Sequence, residues 1–187
     1  MSEPIHRLFF ALRPDVATAR EIESATTALK ASGRVRGRWL QPSKHHLTLH
    51  FLGNHAGRPT SLIEQACSAA QQVRGAPFEI ELDRVETFGA HRQSPCVLRC
   101  SPDSDRSLEG LRAALGSALA GEGLGHLLED RFTPHVTIAY VDGRLNEPIT
   151  IPAVAWRVHE FALVESHGPT AQHEVLDRWT LREPETR

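Results

Sequence analysis

The chain has 187 residues, 40% of them hydrophobic and 24% charged, ordinary values for a soluble globular protein long enough to bury a sizeable core. A formal net charge of −2 argues against a surface that holds long duplexes by bulk electrostatics, while leaving room for a local basic patch that grips one phosphate. Cys67, Cys96 and Cys100 are an odd count without a C-x-x-C, so no disulfide framework is expected. The start MSEPIHRLFF lacks a basic leader and no apolar run reaches membrane-spanning length, so a cytoplasmic protein is expected.

In chain order, residues 7–12 (RLFFAL) read as a short buried strand ended by Arg13-Pro14. Val16, Ala19, Ile22, Ala25 and Leu29 recur at helical spacing over residues 15–31, and Gly33 and Gly37 punctuate a basic loop, RVRGRW. KHHLTLHFLG then alternates apolar and polar residues with period two and stops at Gly53-Asn54. A second helix is predicted over residues 59–73, with Leu62, Ile63, Ala66 and Ala70 on one face; strands follow at 77–88 and 95–101. A third helix over 105–120 carries Leu108, Leu111, Leu115 and Leu119 on one stripe, and GEGLG makes a flexible connection. PHVTIAY (134–140) is another alternating strand. Residues 154–165 and 174–181 finish the chain as strands before a loose tail after about residue 182. The expected organisation is one domain over 1–187, made of two β-α-β halves that each contribute one histidine-bearing strand.

Those two strands carry the chemistry. His46-Leu47-Thr48-Leu49 and His135-Val136-Thr137-Ile138 both read His-apolar-Thr-apolar. Side chains two apart on a strand share a face, so each segment offers an imidazole and a hydroxyl to one side and anchors the other side in the core. One copy can be no more than the solvated face of a strand; two copies at matching points of two similar halves are a far stronger signal. Displacement at phosphorus needs a base for the nucleophile and, opposite it, an acid for the leaving oxygen. Histidine serves for either near neutral pH, with hydroxyls donating to the non-bridging oxygens. The pattern calls for no metal and no covalent intermediate.

Other groupings are weaker. His46 and His50 fall on one face by strict alternation, but no carboxylate or Cys stands nearby in sequence to complete a metal site. Cys96 and Cys100, preceded by His91, have poor zinc spacing and read as packing residues. GEGLG lacks the Lys-Ser/Thr of a P-loop, and no G-x-S-x-G is present. Arg34, Arg36, Arg38 and Trp39 of RVRGRW can neutralise and stack on a nucleic-acid end, or form a solvated loop with Trp39 packed inward. Arg131 is a further candidate for a phosphate contact.

With its paired H-x-T-x motifs, the sequence resembles the 2H phosphoesterases, in particular the bacterial RNA 2′,3′-cyclic phosphodiesterases, also called 2′-5′ RNA ligases. RLFFAL, RW followed by HHLTLHFLG, FTPHVTIA, LVESHGP and VLDRW all look like family segments. The resemblance implies an α+β, bilobal fold with two antiparallel-rich sheets flanking a central cleft and helices outside. It further implies hydrolysis of a terminal 2′,3′-cyclic phosphate to a 2′-phosphomonoester without ATP or metal. His46 would be the proton donor and His135 the proton acceptor, with Thr48 and Thr137 binding substrate. The same site run backwards would join a cyclic-phosphate end to a 5′-hydroxyl. The expected partners are RNA 3′ ends or small nucleotides, met by a monomer. The family often has arginine five residues after the second histidine, where this chain has Tyr140. Two alternatives stand beside this reading: a phosphodiesterase for small cyclic nucleotides or an ADP-ribose cyclic phosphate, and a non-catalytic RNA-binding module that keeps the cleft.

Overall fold

A computed structural model describes residues 4–89, 92–167 and 172–182. The described elements run β1 (Ile5–Leu12), α1 (Val16–Ser32), β2 (Gly37–Trp39), β3 (Leu47–Ala56), α2 (Thr60–Gln71), β4 (Phe78–Thr87) and β5 (Ser94–Cys100). They continue with α3 (Pro102–Gly121), β6 (His135–Val141), β7 (Ile149–Val158), β8 (Glu160–His167) and β9 (Gln172–Thr180). Single 3-10 turns at Pro42–Lys44 and Gly125–Leu127 lie between them. The loose tail expected after about residue 182 falls almost wholly outside the described residues, as do His91 and Gly168-Pro169.

The strands join in the order β7-β4-β5-β6-β3-β1-β8-β9, with β2 on β6, and every pairing is antiparallel. The fold is thus α+β, but the expected two sheets are one hydrogen-bonded path. Its two halves meet at β3 and β6 through one registered pair, Leu47 opposite Val136. The halves are also not successive stretches of chain. The C-terminal hairpin β8-β9 completes the half that holds β1 and β3, while β2, from the N-terminal third, pairs with β6. The residues read as one strand over 154–165 fall into two, parted at His159, because each side of that residue has a different partner: β7 pairs with β4 and β8 with β1.

Local chemistry explains the elements. Asp15 caps α1 by accepting from the Thr18 N–H at 2.8 Å, and Gly33 ends it in the left-handed region at φ 67°. The inward face of α1 is Thr18, Ile22, Thr26 and Leu29, whereas Val16 is 70% exposed. Thr26 is tolerated inside because its hydroxyl donates to the Glu23 carbonyl. The stripe expected on α3 is buried as read. β2 is a strand rather than part of a loop, and Gly37 makes it possible: a Cβ there would stand 2.3 Å from the Tyr140 carbonyl oxygen. Leu8, Phe10 and Leu12 of β1 point into the main core. α1 packs on β7, α3 on β4 and β3, and α2 on α3 and β9. Phe9 and Ala11, on the other face, join a small cluster with Ala162 and Val164. Cys96 and Cys100 are fully buried, with thiols pushed up to about 11 and about 12 by burial.

His45, beside the first motif, is 2% exposed, and neither ring nitrogen has a hydrogen-bond partner. Burial above all, with the charges of His46 and Lys30, lowers its pKa to about 4. Unfolded, it takes a proton near 6.5; folded, only near 4. Its contribution is therefore complete above pH 6.5 and is lost as pH falls towards 4. His45→Leu should flatten the loss of Tm between pH 6.5 and 4 in thermal melts; an unchanged slope would show that other groups set the acid limb.

Candidate active site

The pair Leu47–Val136 places the site. Both side chains are fully buried, so the residues flanking them point to the opposite face. In an antiparallel register the flanking residues meet in reverse order, which sets His46 towards Thr137 and Thr48 towards His135. The two histidines are then diagonal neighbours, with backbones about 7–8 Å apart in ideal geometry. All four side chains line one cleft of about 630 Å³, together with Arg7, Phe9, Arg38, Lys44, Phe51, Gln93, Tyr140 and His173. No carboxylate is among its described lining residues. A second cavity of about 370 Å³ opens beside it, sharing Thr48, Phe51 and His135 and reaching Arg112, Glu129, Arg131 and Phe132.

The two histidines are held alike. His46 Nδ1 lies 2.7 Å from the Lys44 carbonyl oxygen and His135 Nδ1 2.6 Å from that of Thr133, each two residues back. A carbonyl only accepts, so each Nδ1 carries hydrogen and donates, leaving both Nε2 atoms for the cleft. An aromatic ring braces each imidazole. Phe9 sits 5.0 Å from His46 and Phe88 lies edge-on 4.8 Å from His135. Arg99 reinforces the second by donating to the Pro134 carbonyl at 2.8 Å, with its guanidinium 5.9 Å over Phe88.

Burial is the main cause that lowers the pKa of both histidines. For His46 the Lys44 carbonyl works against it, and the charges of Arg13 and His135 add to it; for His135 the Thr133 carbonyl opposes and Arg99 adds.

A one-residue bulge follows each motif at its last position. Leu49 is skipped in the pairing of β3 with β1, and Ile138 in that of β6 with β5. The bulge turns the next residue inward and returns the one after it to the cleft. His50 therefore leaves the face of His46: it is buried, with Nε2 2.9 Å from the Arg112 carbonyl oxygen of α3. Phe51 and Tyr140 take the cleft positions, so the true repeat is His-x-Thr-x-x-aromatic, a spacing the sequence displays and strict alternation conceals. Sequence reasoning also missed His173 of β9, which stands edge-on 4.9 Å from His46. Burial, then the charges of His46, Arg13 and Lys44, bring its pKa to about 4.

Of the basic run, Arg38 reaches the cleft and stacks 5.0 Å over the Tyr140 ring, while Arg34 and Arg36 stay outside it and Trp39 is half-buried under Lys30. Arg131 lines the second cavity, not the cleft.

Two His-x-Thr strands meeting at one cleft of an antiparallel α+β fold are the layout of the two-histidine phosphoesterases. The chain belongs to the 2′-5′ RNA ligase superfamily, whose family model matches residues 14–170. It is 29% identical over 152 residues to an RNA 2′,3′-cyclic phosphodiesterase of Bacillus subtilis (strain 168), covering 77% of this chain and 80% of that one. A protein of the same name from Geobacillus stearothermophilus is 30% identical over 133 residues, 70% of this chain and 41% of the longer relative. Among solved structures, Escherichia coli LigT complexed with 3′-AMP superposes with a TM-score of 0.68 at 27% identity, over 97% of this chain and all of that one. TT0787 of Thermus thermophilus gives 0.67 at 26%, over 94% and 98%.

Titration by histidine-selective NMR should find His46 and His135 both below 6.5 in the free protein, each rising when inorganic phosphate occupies the cleft. Values at or above 6.5 without anion would mean that the rings are more solvated than this geometry has them.

Proposed function

We propose that the chain hydrolyses terminal RNA 2′,3′-cyclic phosphates to 2′-phosphomonoesters, with His46 and His135 as the acid–base pair. The observation that carries this reading is the meeting of two Nδ1-anchored imidazoles and two threonine hydroxyls in a cleft rimmed by arginine and lysine, with no carboxylate among its described lining residues. Anionic phosphate suits such a rim.

In the proposed reaction His135 Nε2 takes a proton from water as the water oxygen bonds to phosphorus. The P–O3′ bond breaks on the opposite side, and His46 Nε2 delivers its proton to the departing 3′ oxygen. Thr48 and Thr137 donate to the non-bridging oxygens as their charge grows. The assignment of acid to His46 and base to His135 follows the family resemblance. With a 5′-hydroxyl in place of water, the same steps give a 2′-5′ linkage. Diesters and nucleotides are also what the names of the relatives speak of: RNA 2′,3′-cyclic phosphodiesterase in Bacillus and Geobacillus, and a 3′-AMP complex in LigT.

The test uses a defined RNA ending in a 2′,3′-cyclic phosphate. His46→Ala and His135→Ala should each lower kcat by about 10²–10⁴-fold, with activity retained in EDTA and a bell-shaped pH profile of kcat/KM centred below 6.5. The profile falls on the acid side as the base gains its proton and on the alkaline side as the acid loses it. Full turnover by the double variant ends the proposal.

Arg38 and Tyr140 take the place where the family often has arginine, and the stacked guanidinium supplies the positive charge from β2 instead of β6. Arg38→Ala should raise KM for the oligonucleotide about tenfold with little change in kcat. A pure kcat effect would instead put Arg38 at the transition state. Comparing kcat/KM on an oligonucleotide with that on a mononucleotide 2′,3′-cyclic phosphate separates RNA ends from small cyclic nucleotides as substrates.

A further inference from the structure

On the sheet face opposite the cleft, at the β8-β9 hairpin, three ligating side chains converge. Glu165 and His167 are two apart on β8 and share a face; Glu174 stands directly opposite Glu165 across the strand pair. One ligand atom from each lies within 4.8 Å of the other two. His167 Nε2 and Glu174 Oε2 are already 3.4 Å apart, close to the edge of a tetrahedron drawn with bonds of about 2.0–2.2 Å.

Two features point to a cation. Like charges directly opposed on neighbouring strands repel, and here one of the two is desolvated. The Glu165 side chain is only 1% exposed, and its Oε2 is buried without a hydrogen bond. Its Oε1 is 2.8 Å from His6 Nδ1, an arrangement that orients a ligating carboxylate from behind. The positive charge in reach is Arg58, half-exposed, with Nε 3.7 Å from Glu165 Oε2 and Nη2 3.8 Å from Glu174 Oε1. Both separations exceed hydrogen-bond length, so the guanidinium neutralises the pair loosely and leaves the buried Glu165 Oε2 without a hydrogen bond.

We propose that Glu165, His167 and Glu174 form a binding site for a divalent transition ion, best matched by Zn²⁺ because one imidazole and two carboxylates make up the donor set. Arg58 occupies the cation position until the ion displaces it, and His6 holds Glu165 in place. The site is independent of the proposed reaction and lies away from His46 and His135. Across the sheet, the intervening pair Ser166–His173 faces the cleft, so the ion braces the hairpin that presents His173 there.

The experiment is Zn²⁺ titration of the EDTA-treated full chain by calorimetry, with thermal melts alongside. One equivalent should bind, and Tm should rise by about 5–10 °C at a hundredfold excess over Kd. Glu174→Gln, an exposed position, should abolish both effects, as should Glu165→Gln where it folds. Arg58→Ala should tighten binding about tenfold by removing the competing cation. Absence of stoichiometric binding in the parent protein, or binding that persists in Glu174→Gln, overturns the site and leaves the salt-bridged cluster as a purely structural one.

Discussion

The pairing of Leu47 with Val136 is the contact on which the rest of the molecule depends. A five-stranded portion of sheet (β7, β4, β5, β6 and β2) and a four-stranded one (β3, β1, β8 and β9) are held edge to edge there. Both residues are wholly buried, so hydrophobic burial fixes the register, and a slip of one residue would turn the entire polar set into the core. Because the register is antiparallel, two copies of one short motif become a rectangle: each imidazole meets the hydroxyl of the other strand, and the two imidazoles take the diagonal. A parallel junction would have set histidine beside histidine. In the proposed reaction, the placing of acid opposite base would therefore follow from strand direction as much as from residue type.

Rigidity at this junction comes from repetition of the same local devices. Each histidine donates Nδ1–H to the carbonyl two residues back, each leans on a phenylalanine, and each motif ends in a bulge. The bulges matter beyond shape. Without the extra residue at Leu49, His50 would face the cleft and Phe51 the core; with it, His50 ties β3 to α3 through the Arg112 carbonyl, and Gly116 leaves the space that its ring needs. A buried histidine with a satisfied nitrogen and a cleft-facing aromatic are thus two results of one irregularity.

Much of this was legible in the residues. The alternating strands, the leucine stripe of α3 and the paired motifs followed from periodicity, and the resemblance carried the family. What escaped has physical reasons. Period-two reading cannot see a bulge, so it put His50 with His46 and overlooked Phe51. A three-residue strand such as β2 is shorter than any periodic signal, and it exists because Gly37 allows its backbone to approach Tyr140, a tertiary fact. The assignment of strands to halves failed because a hairpin can return to the opposite end of the path; only the buried face of Phe161 and Leu163 against β1 decides that. His173 carries no local pattern at all. Its place beside His46 is set by the β8-β9 register, with Ser166 as its cross-strand partner.

The cleft also shows how a chain of slightly negative net charge can favour an anion. Arg7, Arg38 and Lys44 stand around it, while the carboxylates near the sheet are engaged elsewhere: Glu86 with Arg84 and Arg99, Glu165 with His6, and Glu160 with Arg178. Screening limits charges farther away than about 8 Å at physiological salt, so the local rim outweighs the total. The same surroundings keep the histidines from holding protons permanently. Burial lowers both, and an arriving phosphate raises them again by supplying the charge that water no longer can. Lowered below their ordinary value, the imidazoles of the empty cleft favour the neutral form near neutral pH; in the proposed reaction the negative charge of the substrate would favour the protonation that the acid needs. Substrate binding and arming of the acid would then be a single electrostatic event: the fixed charges of Arg7, Arg38 and Lys44 draw the phosphate in, and the phosphate raises the two buried imidazoles.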